Sequence, residues 1–234
     1  RVITVTFFAG GLMAGAAAFF YILVYEKHLP EFVQSMKTAI HDFYGKHPLE
    51  SADYTKIVNA HHFNRLLKIM EGTDVILGGK YDLEIRKIEP TLVRVPNLEH
   101  PIMKEEIFGP ILPIVTIADT TAAIAYVNHK PNPLALYWFG KDKKNMQRVL
   151  SETRSGGVTI NDTLLHITIE DLPFGGVGAS GMGSYHGKAG FDTFSHQKSI
   201  LEVRGFFGLN FFKGTTTARP PYGKMTEWLL RYLK

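Results

Sequence analysis

Glu105 and Glu106 stand just before Ile107, Phe108, Gly109 and Pro110, so two carboxylates and an aromatic side chain precede a Gly-Pro turn that leads into an apolar run. Carboxylates at the mouth of a strand can accept hydrogen bonds from ribose hydroxyls. Taken by itself, such a pair is more often a solvated turn. Gly176-Val-Gly178-Ala-Ser-Gly181 matches G-x-G-x-x-G, and the acidic Glu202 follows about 20 residues later, the spacing of a dinucleotide fingerprint. That fingerprint must leave a strand and open a helix so that the helix N-terminus meets the pyrophosphate. Here Pro173 stands where the strand should end, and the residues from Met182 to Gly187 do not continue as a helix. The match is therefore set aside as accidental, and the glycines suit a tight loop whose backbone closely approaches something else.

The remaining reactive side chains exclude more than they suggest. Ten histidines include the adjacent His61 and His62, but there is no H-E-x-x-H and no carboxylate cluster at ligand spacing, so no metal is expected. His186 and His196 flank the end of the glycine-rich loop, where hydrogen-bonded structural histidines are commoner than a general base. Ser180 lacks the G-x-S-x-G elbow of serine hydrolases. The cysteine count is 0, which removes disulfides, thiolate metal sites and any cysteine nucleophile. A net charge of +4 is compatible with anionic lipid or phosphate ligands but too small to argue for nucleic acid, and no nucleic-acid partner is expected.

These residues need a scaffold, and 234 residues that are 45% hydrophobic suffice for a sizeable core. Apolar positions Phe32, Val33, Met36, Ile40 and Phe43 recur at helical steps and predict a helix over 29–44, stopped near Gly45 and Pro48. A second helix is expected over 53–70, then strands over 75–79 and 88–93. Further on, strand 110–117, helix 120–128, strand 134–139, helix 144–153 and strand 157–161 alternate, which makes the chain α/β. The glycine-rich loop 173–190 and a strand over 199–203 follow. From Val2 to Tyr25 no residue is charged. This segment could span a bilayer, or Tyr21-Ile-Leu-Val-Tyr25 could be a strand of a soluble core; the two readings stand side by side. In the tail, Met225, Trp228, Leu229, Tyr232 and Leu233 fall on one helical face beside Lys224, Arg231 and Lys234, as in an interfacial membrane helix or a helix docked on protein.

Pro101-Ile-Met-Lys-Glu-Glu-Ile-Phe-Gly-Pro110, Ser155-Gly-Gly-Val-Thr-Ile-Asn161, and Leu172-Pro-Phe-Gly-Gly-Val-Gly-Ala-Ser-Gly181 continuing to Tyr185-His-Gly-Lys188 and Phe191-Asp-Thr-Phe-Ser-His196 closely resemble the aldehyde dehydrogenase superfamily, and within it the class 3, fatty-aldehyde branch. The resemblance runs from about Tyr21 to Val203. It implies a partial catalytic domain, an open parallel-rich sheet with flanking helices, together with oligomerisation strands. It further implies NAD or NADP as cofactor and oxidation of an aldehyde to a carboxylic acid, in which a thiolate attacks the carbonyl and hydride leaves to nicotinamide. By motif position, Glu106 would hold the nicotinamide ribose and Phe108 would pack beside the nicotinamide. Asn161, Phe174 and His186 would shape the substrate channel.

The departures from the family pattern set further expectations. The family's dinucleotide-binding half, oxyanion asparagine and general-base glutamate precede the nucleophile, and none is found here. Counting back from Tyr21 places the nucleophile position near Ala16, which has no thiol, so no catalytic residue is assigned. The chain then divides into an apolar segment 1–20, membrane helix or non-family sequence, a truncated family region 21–203 and a basic aromatic tail 204–234. Two functions are compatible with this: an aldehyde dehydrogenase fragment inert by itself, or a non-catalytic, membrane-tethered scaffold that dimerises or pairs with a full-length homologue. A membrane-associated, intracellular location is expected, with a cytoplasmic one as the alternative.

Overall fold

The computed structural model describes residues 7–8, 21–202, 223–224, 227–228 and 231. Two compact units divide the chain, Arg1–Phe194 and Ser195–Lys234. In the first, the strands are β1 (Phe7–Phe8), β2 (Ile22–Tyr25), β3 (Asp74–Leu77), β4 (Tyr81–Asp82), β5 (Lys87–Ile88), β6 (Thr91–Arg94), β7 (Ile111–Ile117), β8 (Ala135–Trp138) and β9 (Gly157–Ile160). The helices are α1 (Leu29–Tyr44), α2 (Ala60–Met70), α3 (Thr120–His129), α4 (Lys143–Glu152), α5 (Leu165–Thr168) and α6 (Gly187–Phe194).

The expected α/β class holds, but the strands form separate mixed sheets rather than one open parallel-rich sheet. One sheet has the order β2-β7-β6-β3, with β2, β7 and β6 parallel and β3 antiparallel to β6. The other has the order β1-β8-β9, with β8 and β9 parallel and β1 antiparallel. The β4–β5 hairpin stands apart from both. The strand reading of Tyr21–Tyr25 is the one the structure takes, since Ile22–Tyr25 pairs with Ile114–Ile117 and Leu23 and Val24 are fully buried. Of the preceding apolar residues only Phe7 and Phe8 are described. Among the described residues no helix is long and apolar enough to cross a membrane.

Burial explains which segments became helices. α1 starts with Pro30 in its first turn and ends where Gly45, at φ +77°, donates its N–H to the His41 carbonyl at 2.8 Å. Its Phe32, Val33 and Met36 pack on Ile22, Val24 and Ile114 of the first sheet. A larger core joins Leu23, Val93 and Ile111 of that sheet to Leu136 and Trp138 of the other, closed by Phe63, Leu66 and Ile69 of α2 and by residues of α3 and α4. Asp119 and Asp142 cap α3 and α4 by accepting from Ala122 N–H and Asn145 N–H.

Several expected boundaries move, and each shift has a physical cause. The helix expected over 53–70 begins only at Ala60, where the Asn59 side chain accepts from His62 N–H at 2.9 Å. Upstream of it, the Tyr54 hydroxyl donates to the Ile88 carbonyl at 2.6 Å and Ile57 N–H donates to the Arg86 carbonyl, which hold 54–57 as a loop against the β4–β5 hairpin. The strand expected over 88–93 breaks at Pro90 into β5 and β6, since proline cannot donate to a ladder. In the second unit the strand expected over 199–203 is not found at 199–202; no ladder partner is present among the described residues, and Ile200 and Leu201 are exposed. Val203 and most of the amphipathic tail lie outside the described residues, although 224, 227, 228 and 231 are helical.

Because the Asn59 cap fixes where α2 begins, Asn59→Ala is expected to lower unfolding stability by about 1 kcal/mol. Chemical denaturation followed by circular dichroism checks this, and an unchanged midpoint contradicts it.

Candidate functional site

The acidic turn is built between α2 and β7. A 3-10 turn, Pro101–Met103, buries Ile102 and Met103 on one side of the two glutamates, and Ile107 is buried on the other. The carboxylates between these anchors have different surroundings. Glu105 is half-exposed and lies 3.5 Å from the Arg65 guanidinium, whereas Oε1 of Glu106 is buried without a hydrogen-bond partner. Burial raises the Glu106 carboxyl above its ordinary value, and the charge of Arg65 opposes that rise.

Arg65 projects from α2 and donates to two successive carbonyls, Glu106 O at 3.1 Å and Ile107 O at 2.5 Å. The next residue, Phe108, has φ +45°, a left-handed conformation that non-glycine residues rarely adopt, and the residue is 43% exposed. Gly109 then passes so close to Leu66 of α2 that any side chain would collide with it. The result is an unpaired carboxylate oxygen beside an outward aromatic ring. A carboxylate is an acceptor only, so this pair fits a ribose hydroxyl and the flat ring of a nicotinamide. Among the described residues nothing comparable cradles a pyrophosphate. Gly178–Ser180 forms a 3-10 turn and α6 begins only at Gly187, so the glycine fingerprint is a loop, as its context predicts.

The second group lies at the ends of β8 and β9. Asn161, at φ +59°, donates its N–H to the Trp138 carbonyl at 2.6 Å, while its Oδ1 accepts from Gly140 N–H at 2.8 Å, which clips the two strand ends together. Phe174 and Tyr185 exchange two backbone hydrogen bonds of 2.9 Å and thereby close the glycine-rich loop. Inside it, a side chain on Gly175 would strike the Gly183 carbonyl and one on Gly176 the Ser180 carbonyl. The Phe174 ring stacks on His186 with centroids 5.9 Å apart and planes at 24°. His186 has φ +81°, and its Nδ1 is buried without a partner.

Beneath the loop, His166 of α5 is 6% exposed. Its Nδ1 shares a 2.7 Å hydrogen bond with the Thr159 hydroxyl, its ring meets Tyr137 and Phe174 at about 6 Å, and Nε2 has no partner. Burial depresses its basicity, so it is neutral near pH 7.

Glu106 and Phe108 thus share one turn, and Phe174 and His186 share one stack with Asn161 on the adjoining strand. Among the described residues no hydrogen bond, ion pair or ring contact joins the two groups. Ala16 lies outside the described residues, and His196 is exposed. Among the described residues no three metal-ligating side chains cluster. The sequence did not single out Arg65 or His166. Arg65 carried no signal beyond its place in a helix, whereas His166 sits in the apolar run Leu164-Leu-His-Ile-Thr-Ile169, a pattern that marks a buried titratable group.

Comparison with known proteins follows the same residues. The family that matches is described as "Aldehyde dehydrogenase family", over residues 6–200, which begins ahead of the Tyr21 boundary drawn from the motifs. "Aldehyde dehydrogenase family 3 member A2" of Rattus norvegicus is 48% identical over 188 residues, covering 80% of this chain and 39% of that protein. "4,4'-diaponeurosporen-aldehyde dehydrogenase" of Staphylococcus aureus is 46% identical over 220 residues, covering 92% of this chain and 46% of that protein. The solved structure described as the substrate-bound state of Staphylococcus aureus AldH superposes with a TM-score of 0.71 at 40% identity, over 92% of this chain and 46% of that one. The chain therefore spans less than half the length of these relatives.

The buried, neutral His166 predicts a pH dependence of stability. The unfolded chain takes up a proton at the ordinary histidine value near 6.5 while the folded one resists it, so stability falls as pH drops through about 6.5. His166→Asn, which retains a hydrogen-bonding group near Thr159 and cannot titrate there, is expected to flatten that part of the curve. Denaturation midpoints between pH 5 and 8 check it, and parallel curves for the two proteins contradict it.

Proposed function

The chain belongs to the aldehyde dehydrogenase family, and from that premise we propose that the protein serves NAD- or NADP-linked oxidation of aldehydes to carboxylic acids, with long-chain aldehydes as the substrate class. These residues supply the nicotinamide-ribose turn and part of the substrate channel. The observation that carries this reading is the buried, unpartnered Oε1 of Glu106 beside the outward ring of Phe108. When bound, the dinucleotide would supply the hydride acceptor. Glu106 accepts a hydrogen bond from a ribose hydroxyl, and Phe108 offers a flat apolar face that restricts the tilt of the adjoining ring. Phe174, held by its backbone pairing with Tyr185, gives the channel an aromatic wall, His186 backs that wall, and Asn161 fixes the strand end from which the loop departs. A relative from Mus musculus is named "dimeric NADP-preferring", which supports keeping both cofactors in the proposal.

The chemistry implied by the family needs a thiolate, and the 234 residues contain none. The chain by itself is therefore proposed to be inert. The same absence favours a second reading, a non-catalytic partner that dimerises or pairs with a full-length homologue, and that touches membrane through the apolar segment 1–20 or the basic tail. Co-elution with a full-length family member and flotation with anionic vesicles test its two parts.

Incubated with an aldehyde and either nucleotide, the purified chain is expected to form no reduced cofactor; turnover that Glu106→Ala abolishes overturns this. Nicotinamide mononucleotide is expected to perturb the backbone amide resonances of Glu106 and Phe108. Glu106→Gln is expected to weaken that binding about tenfold, because a neutral amide oxygen replaces the charged acceptor. Equal affinity for the two proteins refutes the assigned role of the turn.

A further inference from the structure

We propose that Arg65 is a positioning residue for the cofactor-side turn: its guanidinium, bound to the carbonyls of Glu106 and Ile107, holds Phe108 in its left-handed conformation and keeps the Glu106 carboxylate aimed and available as an acceptor. This assignment rests on the cofactor role proposed for the turn. The grip of Arg65 on the turn is independent of it.

Position, reach and charge each support the assignment. Arg65 stands next to Leu66, which is fully buried against Gly109, so its backbone is fixed relative to the turn it binds. The guanidinium is a planar fork of donors, and here it spans two successive carbonyls at 3.1 and 2.5 Å, immediately before the residue at φ +45°. Its side chain is only 20% exposed, so water competes weakly for those bonds. Glu105 at 3.5 Å offsets part of its charge and leaves the unpaired Glu106 oxygen without an ion pair of its own. Burial raises the Glu106 carboxyl above its ordinary value, and the nearby guanidinium opposes that rise.

Two variants separate charge from geometry. Arg65→Met keeps an apolar stem of similar reach and removes charge and donors, whereas Arg65→Lys keeps the charge but replaces the planar fork with a single ammonium. The readouts are the titration midpoint of the Glu106 carboxyl carbon, the Phe108 amide resonance, and nicotinamide mononucleotide affinity, all by nuclear magnetic resonance on the full chain. In Arg65→Met the Glu106 midpoint is expected to move up, the Phe108 amide to shift and affinity to fall. In Arg65→Lys the midpoint should return toward the parent value while the Phe108 amide stays shifted and affinity stays low. An Arg65→Met protein with an unmoved midpoint and an unmoved Phe108 amide overturns the proposal. Should that variant fail to fold, Arg65→Lys decides alone, and a parent-like Phe108 amide with parent-like affinity overturns it. A parent chain that binds no mononucleotide, while Arg65→Met still moves the midpoint and the Phe108 amide, refutes the cofactor role of the turn and upholds the grip of Arg65.

Discussion

The contact on which the candidate site depends is the one between α2 and the acidic turn, where the Leu66 methyls lie so close to Gly109 that a side chain there would force Leu66 to move. That contact is possible because Phe63, Leu66 and Ile69 commit one face of α2 to the core, each burial contributing roughly 1.5–3 kcal/mol. Once that face is fixed, Arg65 is carried to the turn and can bind two carbonyls. Hydrogen bonds to a charged group contribute about 1.5–3 kcal/mol each, against about 1–3 kcal/mol for a non-glycine residue held in a sparsely populated backbone region. The two bonds outweigh the strain at Phe108, so an aromatic ring can be presented where a relaxed turn would direct it elsewhere. Apolar burial places the turn, and a charge-assisted clamp shapes it.

The glycine-rich loop is shaped by another principle. Gly175 and Gly176 let backbone pass against backbone where a side chain would collide, so the loop's path is set by contact distance rather than by a clamp. Its aromatic content then rests on His166, which touches Phe174 from below and is tied to β9 through Thr159. A neutral histidine suits that position because it hydrogen-bonds at one ring nitrogen and packs as an aromatic disc elsewhere. Its Nε2, like Nδ1 of His186 in the same stack, is a buried polar atom without a partner.

The sequence made the periodic parts of this arrangement legible. α1 matches the expected range residue for residue, and α3 and α4 match to within a residue, because apolar spacing, a capping aspartate or a terminal glycine all act locally. The start of α2 was not legible as such, since Tyr54 and Ile57 form their bonds with residues about 30 positions away. The same holds at the site. Glu106, Phe108, Phe174 and His186 were singled out through motif resemblance, while residue chemistry alone read the glutamate pair more often as a solvated turn. Arg65, 41 residues from Glu106, had no local signal to announce the contact.

The distribution of backbone strain bears on which of the two functions the chain retains. Among the described residues, five non-glycine positions have positive φ: Arg86, Phe108, Asn161, Leu164 and His186. Three of them are candidate site residues, and Leu164 immediately precedes the helix that carries His166. Such conformations persist only where the surroundings over-determine them, and they cluster at binding and catalytic sites because they aim groups that a relaxed chain would not. A scaffold that only dimerises needs its packing faces and gains nothing from a left-handed Phe108 beside an unpaired carboxylate. The 234 residues contain no thiol to act as the nucleophile that the proposed reaction needs, yet the strain sits at the candidate site residues. The distribution of strain thus supports the proposal that these residues orient reactants for a reaction whose nucleophile they do not supply.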